Sequence, residues 1–214
     1  ESAMNEMAER LKIDPVQFRL LNEPKLDESN NLPFSSRHYV ECLNLGAEKF
    51  GWSKRTPAAG SMKRDGLTLG WGMAGAAWIA GRFAADANMQ LHDDGTVRIA
   101  SATQDIGTGT YTILAQLASE KIGVPIDKVE VQLGDSALPD GPISGGSLAT
   151  SSVIPAVFKA ADQAITSLLI VAISTPGSPF LGHKPEDLAL QDGRVFVKAE
   201  GVAKGVPFSD VLRQ

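Results

Sequence analysis

Thr103-Gln104-Asp105-Ile106-Gly107-Thr108-Gly109-Thr110-Tyr111-Thr112 decides how this chain is read. A strand-like run ends at Thr103, and an amphipathic helix begins near Tyr111. Two glycines fall where the chain must turn between them. A second stretch has the same texture: Pro142-Ile143-Ser144-Gly145-Gly146-Ser147-Leu148-Ala149-Thr150-Ser151-Ser152 runs into another helix. The first turn of a helix carries N–H groups without intrahelical partners and a partial positive charge, so both junctions suit an anion such as phosphate. Together they point to one large phosphorylated cofactor gripped by main chain.

Plainer readings compete at each junction. Strand, then Gly107-Thr108-Gly109, then helix resembles a dinucleotide-binding turn, and Asp135 follows the next strand. The third glycine of that fingerprint would be Thr112, whose branched side chain opposes close helix–strand packing. The preceding strand also reads as part of an antiparallel hairpin rather than a βαβ unit. A simple strand-to-helix turn, with glycines serving backbone geometry, stays open. At the second junction Gly145 and Gly146 remove side chains where a ligand can press on the backbone. Ser144, Ser147, Thr150, Ser151 and Ser152 supply hydroxyls there, and Ser147 can equally be an ordinary helix cap.

Working outward, Asp93-Asp94-Gly95 is a hairpin signal between strands predicted at 82–92 and 96–104. A further antiparallel strand is expected at 67–80. Residues 111–123 carry a helical stripe of Ile113, Leu114, Leu117, Ala118 and Ile122, stopped by Gly123 and Pro125. Residues 128–133 alternate as a half-buried strand, and 134–146 form a long loop. A helix is expected from 147 to about 174, bent or begun late at Pro155. A hairpin follows across Asp192-Gly193, joining 188–190 to 195–197, and 208–212 open a helix. Upstream, Met4, Met7, Ala8 and Leu11 share one helical face, and Asp14-Pro15 opens a second helix. Ser35 or Ser36 can cap a third that runs to Phe50 and ends at Gly51. Residues 53–65 read as an exposed connector. The expected fold is α+β: an antiparallel or mixed sheet with helices packed on one side. Two segments are expected, 1–65 helical with its connector and 66–214 an α+β domain.

Composition narrows the classes of function. Hydrophobic residues make up 43% of the 214, against 21% charged, which suffices for a core. A net charge of −5 with scattered basic residues argues against nucleic acid. No uninterrupted apolar run reaches the roughly 18–20 residues that span a bilayer, so no membrane partner is expected. The single cysteine, Cys42, excludes an internal disulfide, a cysteine-cluster metal site and an iron–sulfur cluster held by this segment. Among Tyr39, Val40, Leu43 and Leu45 it reads as a core thiol. His38, His92 and His183 lie in different elements and read as surface or capping residues rather than metal ligands. Trp71 and Trp78 read as core packing before substrate stacking. A phosphate-binding lysine motif and a G-x-S-x-G elbow are both missing.

Gln104-Asp105-Ile106-Gly107-Thr108-Gly109-Thr110-Tyr111-Thr112, followed by Ala115-Gln116, resembles the pterin-contacting turn of the molybdenum hydroxylases, the xanthine dehydrogenase and aldehyde oxidase family. Ser144-Gly145-Gly146-Ser147-Leu148-Ala149-Thr150 resembles its second cofactor loop. The hairpin across Asp93-Asp94-Gly95 sits where that family has one. Many members carry Gln where this chain has Thr108, and the Thr version resembles the bacterial aldehyde dehydrogenase branch. The resemblance implies molybdopterin contacts at Gly107, Thr108, Gly109, Thr110, Ser144, Gly145, Gly146, Ser147, Ala149 and Thr150. It leaves open whether the pterin carries a cytosine nucleotide. The metal is then held by the pterin and not by protein side chains, so no metal-ligating residue is expected.

The same resemblance implies oxidative hydroxylation of aldehydes or N-heterocycles with water as oxygen source. The glutamate base is expected outside this chain, so no catalytic residue is assigned. Implied partners are the remainder of a large subunit and iron–sulfur and FAD subunits or domains. The chain therefore reads as a fragment, inactive alone. Two other classes remain: a scaffold module without redox chemistry, and a nucleotide-binding domain of another family. Residues 1–6 show no signal-peptide layout, and the compartment, cytoplasmic or periplasmic, stays open because an export signal can sit on a partner subunit.

Overall fold

Alternate residues Val97 and Ile99 are fully buried on one strand, and the larger of two packing units is built around them. The computed structural model describes residues 1–34, 36–78 and 81–214. Its units are Glu1–Trp78 and Ile79–Gln214. Sequence texture changes at 65/66, whereas packing divides at 78/79. A short hairpin pairs Met62–Arg64 (β1) with Leu67–Leu69 (β2) across Asp65-Gly66, and it ties both sides of the texture change into one unit.

In the first unit α1 is Ser2–Leu11, α2 is Pro15–Leu21 and α3 is Tyr39–Phe50. Asp14 starts α2 as expected: its Oδ1 accepts from Val16 N–H at 2.8 Å, and Pro15 occupies the first turn. Its Oδ2 accepts from the Trp52 indole at 2.9 Å, so one carboxylate joins two elements. Tyr39, Leu43 and Ala47, spaced four apart, put one face of α3 against Val16, Leu20, Trp52 and Trp71. Cys42 lies about 100° round the helix from Leu43 and is exposed, which overturns its reading as a core thiol. Trp71 packs as expected, but Trp78 is exposed. The capping position of α3 is His38, without a side-chain cap, so Ser36 does not serve; Ser35 lies outside the described residues.

In the second unit β3 (Asn88–Leu91) pairs antiparallel with β4 (Val97–Ser101) across the expected turn. Among the described residues, the strands predicted at 67–80 and 82–92 are thus much shorter; residues 79 and 80 of the first lie outside them. Helix α4 (Thr110–Ile122) then crosses over to β5 (Val129–Leu133), which lies parallel to β4 in the register Val97↔Val129 and Ile99↔Val131. This is a correction: β4 belongs at once to an antiparallel hairpin and to a βαβ unit. Thr112 is exposed, so its branched side chain does not meet the strand.

The sheet is mixed, in the order β3-β4-β5, with helices on one side. Its other face carries the Arg98–Glu130 ion pair at 2.9 Å. Helix α5 (Ala149–Ser174) packs with α4 over Val97 and Ile99 through Val153, Val157, Ala161 and Leu168. It starts well before Pro155, so the expected late start does not occur. By length and composition α5 is apolar enough to span a bilayer, yet its buried residues are the core of this unit. A second, antiparallel sheet joins β6 (Leu188–Gln191), β7 (Arg194–Val197) and β8 (Val206–Pro207), and α6 (Phe208–Leu212) closes the same core. Each fully buried Leu, Ile or Val contributes roughly 1.5–3 kcal/mol, so the stripe on α4 anchors the helix that follows the first glycine turn.

His92 departs from the surface-or-cap reading. It is half-buried, and its Nε2 is shielded from solvent with no hydrogen-bond partner among the described residues. His183 is exposed, as expected.

Candidate functional site

The strand exit after β4 becomes a tight loop because a carboxylate gathers its main chain. Asp105 Oδ1 accepts from Gly107 N–H at 2.8 Å, Thr108 N–H at 2.9 Å and Gly109 N–H at 3.3 Å. Asp105 Oδ2 accepts from Tyr111 N–H at 3.3 Å, inside the first turn of α4. Loss of water contact opposes the charge on Asp105. The N–H groups of Gly107, Tyr111, Gly109 and Thr108 outweigh that and hold its carboxyl below the usual range. Gly107 and Gly109 have φ of 95° and 82°, the left-handed region that glycine adopts without strain. A Cβ on either would meet nothing within 4 Å, so these glycines serve main-chain direction rather than close packing.

This changes the expectation that the N–H groups at 107–109 are offered to a ligand, because the chain's own carboxylate already engages them. Gly107 and Thr108 are exposed at the loop tip. Thr110 is buried, and its hydroxyl lies 3.3 Å from that of Thr108.

The second loop meets the first along the exit of β4. Gln104 Oε1 accepts from Ser144 N–H at 3.1 Å, and Ser144 Oγ donates to the Gln104 carbonyl. Thr103 Oγ donates to the Pro142 carbonyl at 3.2 Å, Ala102 N–H to Pro139 at 2.7 Å, and Gly134 N–H to Thr103 at 2.9 Å. Gly141 presses on Thr103: an added Cβ would overlap the Thr103 main-chain nitrogen and lie 2.8 Å from its Cα. The two loops therefore lie side by side. Ile106 and Ile143, one on each, are 68% and 71% exposed, so each loop carries an apolar side chain into solvent.

At the start of α5 the donors are differently disposed. Leu148 holds the capping position and provides no side-chain cap. Ser147 sits at φ 61°, which overturns its reading as a helix cap. Helical bonding begins with Ser152 N–H to Leu148, so Ala149, Thr150 and Ser151 present first-turn N–H groups without intrahelical acceptors. Ser151 Oγ donates to Gly81 and Leu148 carbonyls, and Ser152 Oγ accepts from Phe83 N–H at 3.0 Å. These two hydroxyls hold the 81–83 segment against the helix, beside a cavity of about 290 Å³ lined by Arg82, Phe83 and Lys159. Among the described residues, the hydroxyls of Ser147 and Thr150 have no hydrogen-bond partner. Gly145, Gly146 and Ser147 are exposed, and Ala149 and Thr150 half-buried.

The donor set fits an anionic ligand at the second loop: an uncapped long helix, two unengaged hydroxyls and small exposed residues. Sequence reasoning missed Gln104, Asp105 and Gly141 as organisers. The legible signal was Asp two residues before Gly-Thr-Gly, the spacing at which a short carboxylate bonds main-chain N–H groups just ahead of it. Among the described residues no cluster of His, Cys, Asp and Glu is placed to hold a metal ion.

Residues 45–214 match the family model for the molybdopterin cofactor-binding domain. The chain is 36% identical over 196 residues to the aldehyde oxidoreductase molybdenum-binding subunit PaoC of Escherichia coli K12, covering 91% of this chain and 26% of that protein. It is 31% identical over 138 residues to the xanthine dehydrogenase molybdenum-binding subunit of E. coli O157:H7, covering 61% and 18%. Among solved structures, CO dehydrogenase from Oligotropha carboxidovorans superposes with a TM-score of 0.63 at 19% identity, over 99% of this chain and 28% of that one. Quinoline 2-oxidoreductase from Pseudomonas putida 86 gives 0.61 at 20% identity, over 98% and 28%. These two share the fold. The chain spans about a quarter or less of the length of the relatives it matches.

Proposed function

Because this chain belongs to the molybdopterin cofactor-binding domain family, we propose that its two adjoining loops hold one molybdopterin within the molybdenum-binding subunit of an oxidoreductase. The observation that carries the reading is the contact between the loops through Gln104 and Ser144, which makes them one continuous surface. Ser147 and Thr150 hydroxyls, with the N–H groups of the first turn of α5, receive the anionic part. Gly145 and Ala149 are small enough to let a ligand approach the backbone. Gly107, Thr108, Gly109 and Thr110 give the other wall a fixed shape. Ile106 and Ile143 supply apolar edges that keep water from the ring system.

When bound, the cofactor supplies the redox centre for hydroxylating an aldehyde or N-heterocycle with oxygen taken from water. This chain's own residues bind and orient it. The glutamate base belongs to the rest of the subunit, and electrons leave to iron–sulfur and FAD partners. The cofactor-loaded chain alone is therefore expected to oxidise no aldehyde.

Titration of the purified chain with molybdopterin, with and without its cytosine nucleotide, tests the proposal. One equivalent is expected to bind, and Ser147→Ala with Thr150→Ala to weaken it. A folded chain that binds neither form overturns the reading. Turnover with a dye acceptor would overturn the part that places the base elsewhere.

A further inference from the structure

We propose that Gln104 and Asp105 are positioning residues that set both loops before a cofactor arrives: Asp105 fills the main-chain donors of the first loop, and Gln104 ties down the second. The proposal rests on the reading of these loops as the cofactor site. Consecutive residues at the exit of β4 serve opposite loops. Four N–H groups, from Gly107, Thr108, Gly109 and Tyr111, converge on one carboxylate. Such a concave array of N–H groups is an anion receptor, and here the anion is internal. The left-handed φ of Gly107 and Gly109 aims the donors inward, and no neighbour demands small residues there.

Gln104 does the matching work across the gap. Its side-chain oxygen accepts from Ser144 N–H while its carbonyl accepts from Ser144 Oγ. The bonds from Thr103 to Pro142, Ala102 to Pro139 and Gly134 to Thr103 continue the seam. The second loop cannot slide along β4 without breaking them. A consequence follows for selectivity: the first loop refuses an external anion as long as Asp105 is ionised.

Amide hydrogen exchange by NMR on the full chain tests this. In Asp105→Ala the Gly107 and Thr108 amides should exchange about tenfold faster, the scale of one lost hydrogen bond. Asp105→Asn, which keeps an acceptor oxygen, should restore part of the protection. Inorganic phosphate should shift the 107–109 amide resonances in Asp105→Ala and leave the wild type unmoved. In Gln104→Ala the Ser144 amide should lose protection, and Gln104→Glu should recover it. Unchanged exchange in Asp105→Ala, or phosphate shifts in the wild type, would overturn the proposal. Should Asp105→Ala fail to fold, the wild type and Asp105→Asn carry the same comparison. Molybdopterin binding is scored separately. A wild-type chain that binds none defeats the cofactor reading, whereas equal affinity of wild type and Asp105→Ala defeats the positioning role.

Discussion

Gln104 and Ser144 bond each other reciprocally across 40 residues of chain: main-chain N–H to side-chain oxygen at 3.1 Å, and hydroxyl to main-chain carbonyl. Neither residue lies in a helix or strand. The pair joins the loop after β4 to the loop before α5 where no backbone ladder does.

Removing either partner should loosen this junction. Gln104→Ala and Ser144→Ala are each expected to cost about 0.5–1.5 kcal/mol in urea unfolding, the net value of a single hydrogen bond. The double variant should cost about the sum, because each substitution removes a different bond: Gln104→Ala the one from Ser144 N–H to Oε1, and Ser144→Ala the one from Ser144 Oγ to the Gln104 carbonyl. A double-variant cost well below the sum would mean that losing one bond already frees the other.

Glycines of the second loop should separate by role. Gly141→Ala puts a Cβ into Thr103 main chain and should destabilise by about 1–3 kcal/mol. Gly145 is different: an added Cβ would meet only Ile143 Cδ1, at 3.8 Å. Gly145→Ala should therefore stay within about 0.5 kcal/mol of the parent in thermal unfolding, while lowering molybdopterin affinity. Equal stability losses would contradict the assignment.

Acid should release the first loop. The Asp105 carboxyl is held below its ordinary value, so its contribution is complete above the unfolded value near 3.8 and disappears as pH falls through the lower folded value. NMR titration should show the Gly107 and Thr108 amides moving together only in that acidic window. In Asp105→Asn those amides should have no such step. A step near neutrality in the parent would rule Asp105 out as its source.

The helix behind the first loop should be the main support of the larger unit. Leu114 is 1% exposed within the core cluster. Leu114→Ala should cost about 2–5 kcal/mol by calorimetry, through lost transfer energy and the cavity left behind. Tyr111→Ala, at an exposed position of the same helix, should cost far less.

Much of this was legible along the chain. The stripe Leu114, Ala118, Ile122 located α4, and Gly123 stopped it in the left-handed conformation. Asp93-Asp94-Gly95 and Asp192-Gly193 each marked a hairpin. Both glycine-and-hydroxyl stretches were visible as junctions into helices. Less visible was which hydroxyls would be engaged. Ser144, Ser151 and Ser152 have partners far away in sequence, and Ser147 and Thr150 do not. Cys42 was misread because its apolar neighbours in sequence are not its neighbours around a helix.

Periodicity and turn chemistry act between residues a few positions apart, and for that reason the order of helices and strands could be read from the residues alone. The direction of β5 against β4 could not, because a strand shows the same alternation of side chains whichever way its neighbour runs. Nor could the pairing of Gln104 with Ser144 or the contact of Gly141 with Thr103. Each of those depends on where separate stretches of backbone come to rest, and packing of α4 and α5 over Val97 and Ile99 decided that.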